Sequence, residues 1–317
     1  MKPILSRRSF LQHSAVGLGA IGSLSASVAG AESMPKRVLG KTGLEVSILS
    51  FGGGSNFLKN KDGAWEPMIE KAIQEGITLF DTSAGYKFGS AVTSEERLGQ
   101  ILPKYRKSII LSTKIETTTR DVSEGMKEFE TSMKRLKADY LDILLIHSIE
   151  KSEDIGALEK GLYKELIRLK EAKTVRFIGF SSMNSAEKSK EMLEKLPVDV
   201  CILAMNATKY GNFAKVALPV AREKNVGVIA MKAIRGVEQS GTIPELLNYV
   251  WSQDGVATAV IGHVGMQNLE ENIQSARTFT KKMTRRECEA LEARVAHLAG
   301  PHALPWARPD YRDGMMV

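Results

Sequence analysis

The chain has 317 residues, 43% hydrophobic and 26% charged, with a formal net charge of +7. The length suits one large α/β barrel, which takes about 250 residues before insertions. Three of the positive charges fall in the acid-free first 31 residues, leaving +4 from Glu32 onward; with no basic run interleaved with aromatics, nucleic-acid binding is disfavoured. The two cysteines, Cys201 and Cys288, offer neither a disulfide framework nor a metal cluster, and no metal site is expected. No stretch is long and apolar enough for a stable membrane span after processing.

Residues 5–30 read LSRRSFLQHSAVGLGAIGSLSASVAG. An arginine pair precedes Phe10 and Leu11, a mildly apolar stretch rich in Gly, Ala and Ser follows, and Ala29-Gly30-Ala31 offers a cleavage site before Glu32. The pattern resembles twin-arginine export signals, which a receptor reads and the fold does not use. It implies a signal peptide over residues 1–31, a barrel domain over 32–317, the twin-arginine export machinery as a partner, and a periplasmic or otherwise exported location. That route carries folded proteins, so an enzyme loaded with its cofactor is a natural passenger.

Past residue 35 the sequence alternates. Lys36–Glu45 reads as a small hairpin turning at Lys41-Thr42-Gly43, suited to plug the bottom of a barrel. Apolar, β-branched runs follow at Val46–Phe51, Thr78–Asp81, Ile109–Thr113, Tyr140–His147, Arg176–Ser181, Val200–Asn206, Gly227–Lys232 and Ala257–Gly262. Runs this apolar suit parallel strands buried on both faces. Amphipathic segments of helical length separate them: Glu66–Glu75, Ser94–Leu102, Val122–Leu136, Leu158–Glu171, Ala186–Leu196, Phe213–Lys224 and Pro244–Trp251. Eight strands with intervening helices predict a (β/α)8 TIM barrel. A doubly wound open sheet is the alternative, but Gly52-Gly53-Gly54 after the first strand lacks the G-x-G-x-x-G spacing. The tail from Gly300, with Pro301, Pro305 and Pro309, is expected to wrap the surface without regular structure.

In such a barrel the active site lies at the C-terminal ends of the strands. Asp81 ends the second apolar run, with Tyr86 in the loop beyond; Lys114 ends the third and His147 the fourth. Singly, each has a bland role as a helix cap, a solvated end residue or a core histidine. Together they make a proton donor. A free tyrosine titrates near pH ~10. A neighbouring lysine cation is expected to lower that value, with Asp81 holding the lysine charged. His147 can fix a substrate oxygen or relay a proton.

These residues sit in segments that resemble the aldo-keto reductases along essentially the whole of the mature region. RVLGKTGLEVSILSFGGG is similar to that family's entry hairpin and first strand, and FDTSAGYKFGSAVTSEERLG to the segment bearing its Asp and Tyr. STK supplies the Lys and YLDILLIH the His; GFSS, VIAMKAIRG and VIGHVGMQNLEENI resemble the cofactor side. The resemblance implies catalytic roles for Asp81, Tyr86, Lys114 and His147. It implies cofactor binding by Gly53, Ser181, Asn206, Met231, Lys232, Glu271 and Asn272, with NADP(H) favoured over NAD(H). It implies hydride transfer to or from a small carbonyl or alcohol substrate.

The cofactor side also departs from the family's common pattern. Ser182 stands where an Asn is usual, Ile202 where a Gln is usual, and Met231 where an aromatic stacks on nicotinamide. Gly262 and Asn268 fall where a basic pair often grips a 2′-phosphate. Export to a compartment without an evident pool of reduced nicotinamide raises a redox-neutral sugar-modifying enzyme with a trapped cofactor as an alternative. A non-catalytic sensor barrel is a third reading. Phe57, Trp65 and Trp306 are candidates to line the substrate pocket.

Overall fold

A computed structural model describes residues 33–87, 89–311 and 313. The segment expected to be an export signal, residues 1–31, lies outside the described residues. The described chain opens on the expected hairpin. Strand β1 (Lys36–Val38) pairs antiparallel with β2 (Glu45–Ser47) around a 3-10 turn at Gly40–Thr42. The turn docks on the barrel floor, with Lys41 N donating to Asn225 O at 2.6 Å. A β-carbon on Gly40 would come within 2.4 Å of Gly227 N, and with φ at +50° the position suits glycine twice over.

Eight parallel strands then close into a barrel in chain order. They are β3 (Leu49–Gly52), β4 (Leu79–Asp81), β5 (Ile110–Ile115), β6 (Leu141–Ile146), β7 (Val175–Ser182), β8 (Val200–Ala204), β9 (Gly227–Met231) and β10 (Val256–Ile261). Closure comes from β10 pairing with β3, Ala259 opposite Leu49 and Ile261 opposite Phe51. Every residue of β5, β6, β8 and β9 is buried, which is why those strands read as unbroken apolar runs.

The expected (β/α)8 barrel is therefore present, and three details differ. The run Val46–Phe51 is divided, because the chain bends at Ile48, whose N–H donates to Pro35 O. Its first half belongs to the hairpin and its second to the barrel. The segment Leu158–Glu171 forms two helices, Ile155–Lys160 and Leu162–Glu171, because Gly161 departs from helical dihedrals. Two further helices, Gly265–Arg277 and Arg285–Val295, follow the last strand; the second opens on a capping box between Thr284 and Glu287.

The tail also differs from expectation. It forms a 3-10 turn at Pro305–Ala307 and buries Leu304, Trp306 and Tyr311. It ends its described course with Asp313 inside the barrel mouth, among the residues at the strand ends. Proline content agrees with the lack of α-helix and strand among the described residues of the tail, but it carries no information about burial. Both cysteines are free thiols, Cys201 in the core and Cys288 half-buried.

Candidate active site

Parallel register builds the site. Asp81 lies opposite Ser112, and Lys114 stands two residues beyond Ser112 on the same face of β5. These two side chains of β5 therefore reach the Asp81 carboxylate. Ser112 Oγ donates to Oδ1 at 2.9 Å and Lys114 Nζ to Oδ2 at 2.6 Å. Lys114 Nζ also donates to Thr82 O at 2.7 Å and lies 3.4 Å from Tyr86 Oη. Tyr86 is placed by a tight loop in which its N–H donates to Ser83 O and its carbonyl accepts from Ser94 N. His147 follows β6, its N–H donating to Ile115 O at 3.0 Å, and its ring meets that of Tyr86 edge-on at 5.6 Å. The four residues singled out at the strand ends thus converge, all buried.

Two carboxylates complete the cluster. Glu116, two residues past Lys114, accepts from Ser83 Oγ at 2.7 Å and is hydrogen-bonded to Nδ1 of His147. Asp313 enters from the tail. Its Oδ2 accepts from Tyr86 Oη at 3.0 Å and faces His147 Nε2 at 3.2 Å. Its Oδ1 accepts from Lys232 Nζ at 2.9 Å and Tyr311 Oη at 2.8 Å. Both ring nitrogens of His147 therefore face acceptor-only groups, an arrangement that the doubly protonated imidazolium satisfies. Burial alone would lower the His147 value; Glu116 and Asp313 overcome it and hold it above that of an ordinary histidine.

The tyrosine runs against expectation. Burial, reinforced by the charges of Asp313, Asp81 and Glu116, holds the Tyr86 phenol well above its ordinary value. Lys114 is at hand as foreseen, but three carboxylates surround the same hydroxyl. Asp313 itself is held well below the usual carboxylate value: burial opposes this, and Lys232 and His147 outweigh it.

A cavity of about 480 Å³ leads from Asp81, Tyr86 and Lys114, past Met231 and Lys232 after β9, to Gly262, Asn268 and Glu271. That size is typical of a small-molecule site. The sequence matches the aldo/keto reductase family over residues 49–245, more than half of the chain. The chain belongs to the aldo/keto reductase family.

Individual relatives agree. An uncharacterized oxidoreductase of Bacillus subtilis, YqkF, is 27% identical over 312 residues, covering 82% of this chain and 96% of that protein. The L-galactose dehydrogenase of Arabidopsis thaliana is 31% identical over 214 residues, 61% of this chain and 63% of that protein. Among solved structures, an aldo-keto reductase from Pseudomonas aeruginosa superimposes with a TM-score of 0.66 at 25% identity, covering 79% of this chain and 98% of that one. The holo form of a Bacillus halodurans aldo-keto reductase also gives 0.66, at 20% identity, over 82% of this chain and 96% of that one, which speaks to the fold. This aldo/keto reductase is thus an NAD(P)H-dependent oxidoreductase.

The cavity fits the family's nicotinamide cofactor. Gly52 and Gly262 line it where their chains run close: a β-carbon at Gly52 would come within 3.0 Å of Ile261 C, and one at Gly262 within 3.2 Å of Asn56 Cβ. The N-cap residue of helix Gly265–Arg277 makes no side-chain cap bond, although Gly265 N donates to Asn60 Oδ1 at 2.7 Å; an anionic group could therefore use only the amides that follow Gly265. Of the expected cofactor-side residues, Met231, Lys232 and Glu271 line the cavity.

The others lie behind the wall. Gly53 N donates to Asp81 O, Ser181 Oγ accepts from Ser148 N, and Asn206 Nδ2 donates to Lys232 O at 3.2 Å. Asn272 is fully buried against His263 Nδ1 at 3.1 Å. Lys232 itself sits at φ +59°, a left-handed backbone costing roughly 1–2 kcal/mol for a non-glycine residue. Phe57 and Trp65 pack on each other and on Arg97 in the core, and Trp306 is buried with Lys232 Nζ 5.9 Å from its ring; none of the three lines the cavity.

Proposed function

We propose that the chain is an exported carbonyl reductase or alcohol dehydrogenase in which Tyr86 passes the proton, Lys114 and Asp81 steady it, and His147 positions the substrate oxygen. The observation that carries this reading is the place of Asp313 Oδ2. One oxygen atom sits within hydrogen-bond distance of both Tyr86 Oη and His147 Nε2. A carbonyl oxygen set at that point would face both donors at once.

Bound nicotinamide supplies or removes the hydride; the residues manage the proton. With its phenol held high, Tyr86 keeps its proton until charge develops on the oxygen in front of it. A neutral carbonyl oxygen in place of Asp313 Oδ2 removes one carboxylate oxygen from beside the phenol, leaving Lys114 Nζ at 3.4 Å to favour the phenolate as the proton departs. Asp81, fixed by Ser112 and Lys114, keeps that ammonium aimed. The charged ring of His147 donates from Nε2 and draws electron density onto the oxygen.

On the cofactor side, Met231 offers a polarizable face to a ring, and Arg235 supplies positive charge. Glu271 and Asn268 stand at the far end of the cavity. The Tyr86→Phe variant tests the reading. It should bind NADPH or NADH as the wild type does, by fluorescence titration, while turnover of small aldehydes and ketones falls by roughly 10²–10⁴-fold, the contribution of a positioned proton donor. Full turnover in that variant would remove Tyr86 from the role. The same titrations, run with both nicotinamides, decide the preference for NADP(H). Fractionation of the native cells, with Arg7 and Arg8 intact or both changed to lysine, tests export.

A further inference from the structure

The tail carboxylate is more than a mark for one oxygen. Its second oxygen is held as firmly, by Lys232 Nζ at 2.9 Å and Tyr311 Oη at 2.8 Å, and Arg235 Nη1 backs Tyr311 at 3.4 Å. Four donors from four parts of the chain therefore close on one planar carboxylate, two on each oxygen. A 2-oxo acid presents the same pattern, with the keto oxygen and one carboxylate oxygen side by side in one plane. We infer that the preferred substrates carry a carboxylate on the carbon next to the reacting one, 2-oxo acids or 2-hydroxy acids, and that Lys232 is the ligand of that carboxylate. The inference rests on the reading of Tyr86 and His147 given above.

Charge leads to the same substrates. With Asp313 in place the cluster is balanced: Lys114, His147 and Lys232 face Asp81, Glu116 and Asp313. A substrate oxygen can reach Tyr86 only when the Asp313 carboxylate has left. Its departure strands Lys232, whose side chain is 10% exposed, in a cavity walled in part by Ile202, Met231 and Ile234. A neutral substrate leaves that buried cation unpaired; an anionic one restores the balance. The tail yields by giving up the four contacts of the Asp313 carboxylate, which the substrate's own oxygens then take, and no strand or helix of the described residues beyond the turn at Pro305–Ala307 need unravel. The reaction balances simply. Hydride from the reduced nicotinamide goes to C2, the proton from Tyr86 goes to its oxygen, and the carboxylate is unchanged, giving the 2-hydroxy acid and oxidised nicotinamide.

The cofactor's diphosphate is the other anion able to claim Lys232, and the test separates the two. The purified chain is assayed with phenylglyoxylate and with phenylglyoxylamide, in wild type and Lys232→Met, and nicotinamide affinity is measured by fluorescence. Calorimetry with oxamate, which is not reduced, gives a readout free of turnover. The wild type should favour the acid by about tenfold or more in kcat/KM, and Lys232→Met should lose that preference with unchanged nicotinamide affinity. Oxamate should bind more tightly to Asp313→Ala than to wild type, and weakly to Lys232→Met.

Equal turnover of acid and amide by the wild type would overturn the inference. So would a Lys232→Met variant that keeps the acid preference and binds nicotinamide poorly, which places the lysine on the diphosphate. Lys232-dependent binding of oxamate without turnover of either carbonyl would uphold the carboxylate cradle and overturn the reductase reading. Absence of both turnover and oxamate binding would overturn the two together.

Discussion

The carboxylate of Glu116 is hydrogen-bonded to Nδ1 of His147 at the mouth of the barrel. This pairing sets the charge of the ring, because a histidine whose Nδ1–H is committed to a carboxylate can donate from Nε2 only as the cation. In the proposed mechanism Glu116 acts through His147 and touches no reacting atom. In Glu116→Gln the largest influence raising the His147 value disappears. The pH profile of carbonyl reduction then changes in a defined direction: the fall in kcat/KM on the alkaline side, as His147 loses its proton, moves to lower pH. At pH 8 the loss should reach on the order of 10²-fold at most, the lower range for a positioned acid. An unmoved profile with a uniform loss would mean that Glu116 only packs the loop.

The barrel and the four converging residues were legible because each depends on local pattern. Apolar runs of strand length report burial on two faces, and a polar residue closing such a run reports the barrel mouth. Glu116 was within reach of the same logic. Glu116 lies one residue past the end of β5, on the alternation of Ser112 and Lys114, and Lys114 was already assigned to the site. Asp313 was not within reach. Its partners Tyr86 and His147 lie 227 and 166 residues away, and an aspartate in a proline-containing tail reads as solvated. The expected lowering of Tyr86 by Lys114 failed because burial raises the phenol and carboxylates contributed from other segments reinforce it, neither of which the local pattern shows.

The ion pair of Lys114 and Asp81 has side chains 1% and 5% exposed. Removing one member strands the other in the barrel mouth, at a typical cost of 3–5 kcal/mol. Lys114→Met and Asp81→Asn should each lower stability by about that amount in denaturant titrations. The double variant should be more stable than the sum of the two losses, since neither charge is then left unpaired. Simple additivity would show that solvent or other partners already compensate each charge.

Gly179 marks the tightest approach within the barrel wall. A β-carbon there would lie 1.7 Å from Val200 O and 2.8 Å from Val200 C, across the pairing of β7 with β8. Backbone cannot yield as a side-chain tip can, so Gly179→Ala must part the two strands. A loss of at least about 3 kcal/mol is expected, or a failure to yield folded protein. The comparison is Gly63→Ala, on an exposed turn at φ +83° with open space around the β-carbon, where backbone strain of roughly 1 kcal/mol is the whole cost. Similar losses at the two sites would contradict the packing of β7 on β8.

Asp313 and His147 make stability depend on pH in opposite senses. Asp313 is held below its ordinary value of 3.8, so its contribution is present above that pH and is lost as acid protonates the folded carboxylate. His147 is held above its ordinary value of 6.5, so its contribution is complete below that pH and is lost as alkali removes the proton from the folded ring. Both are complete between about pH 4 and 6.5. Asp313→Asn removes the first and weakens the second; it also deprives Lys232 of its partner, a penalty nearly constant with pH until the lysine itself titrates. The wild type should therefore melt several degrees higher than Asp313→Asn in that window, as expected for loss of charge-assisted hydrogen bonds worth roughly 1.5–3 kcal/mol. The gap should narrow above pH 6.5, once His147 becomes neutral in the wild type. Thermal unfolding of the cofactor-free protein from pH 4 to 9 measures it. A gap that widens with pH would mean that His147 is neutral beside Asp313 and that the imidazolium assigned here does not form.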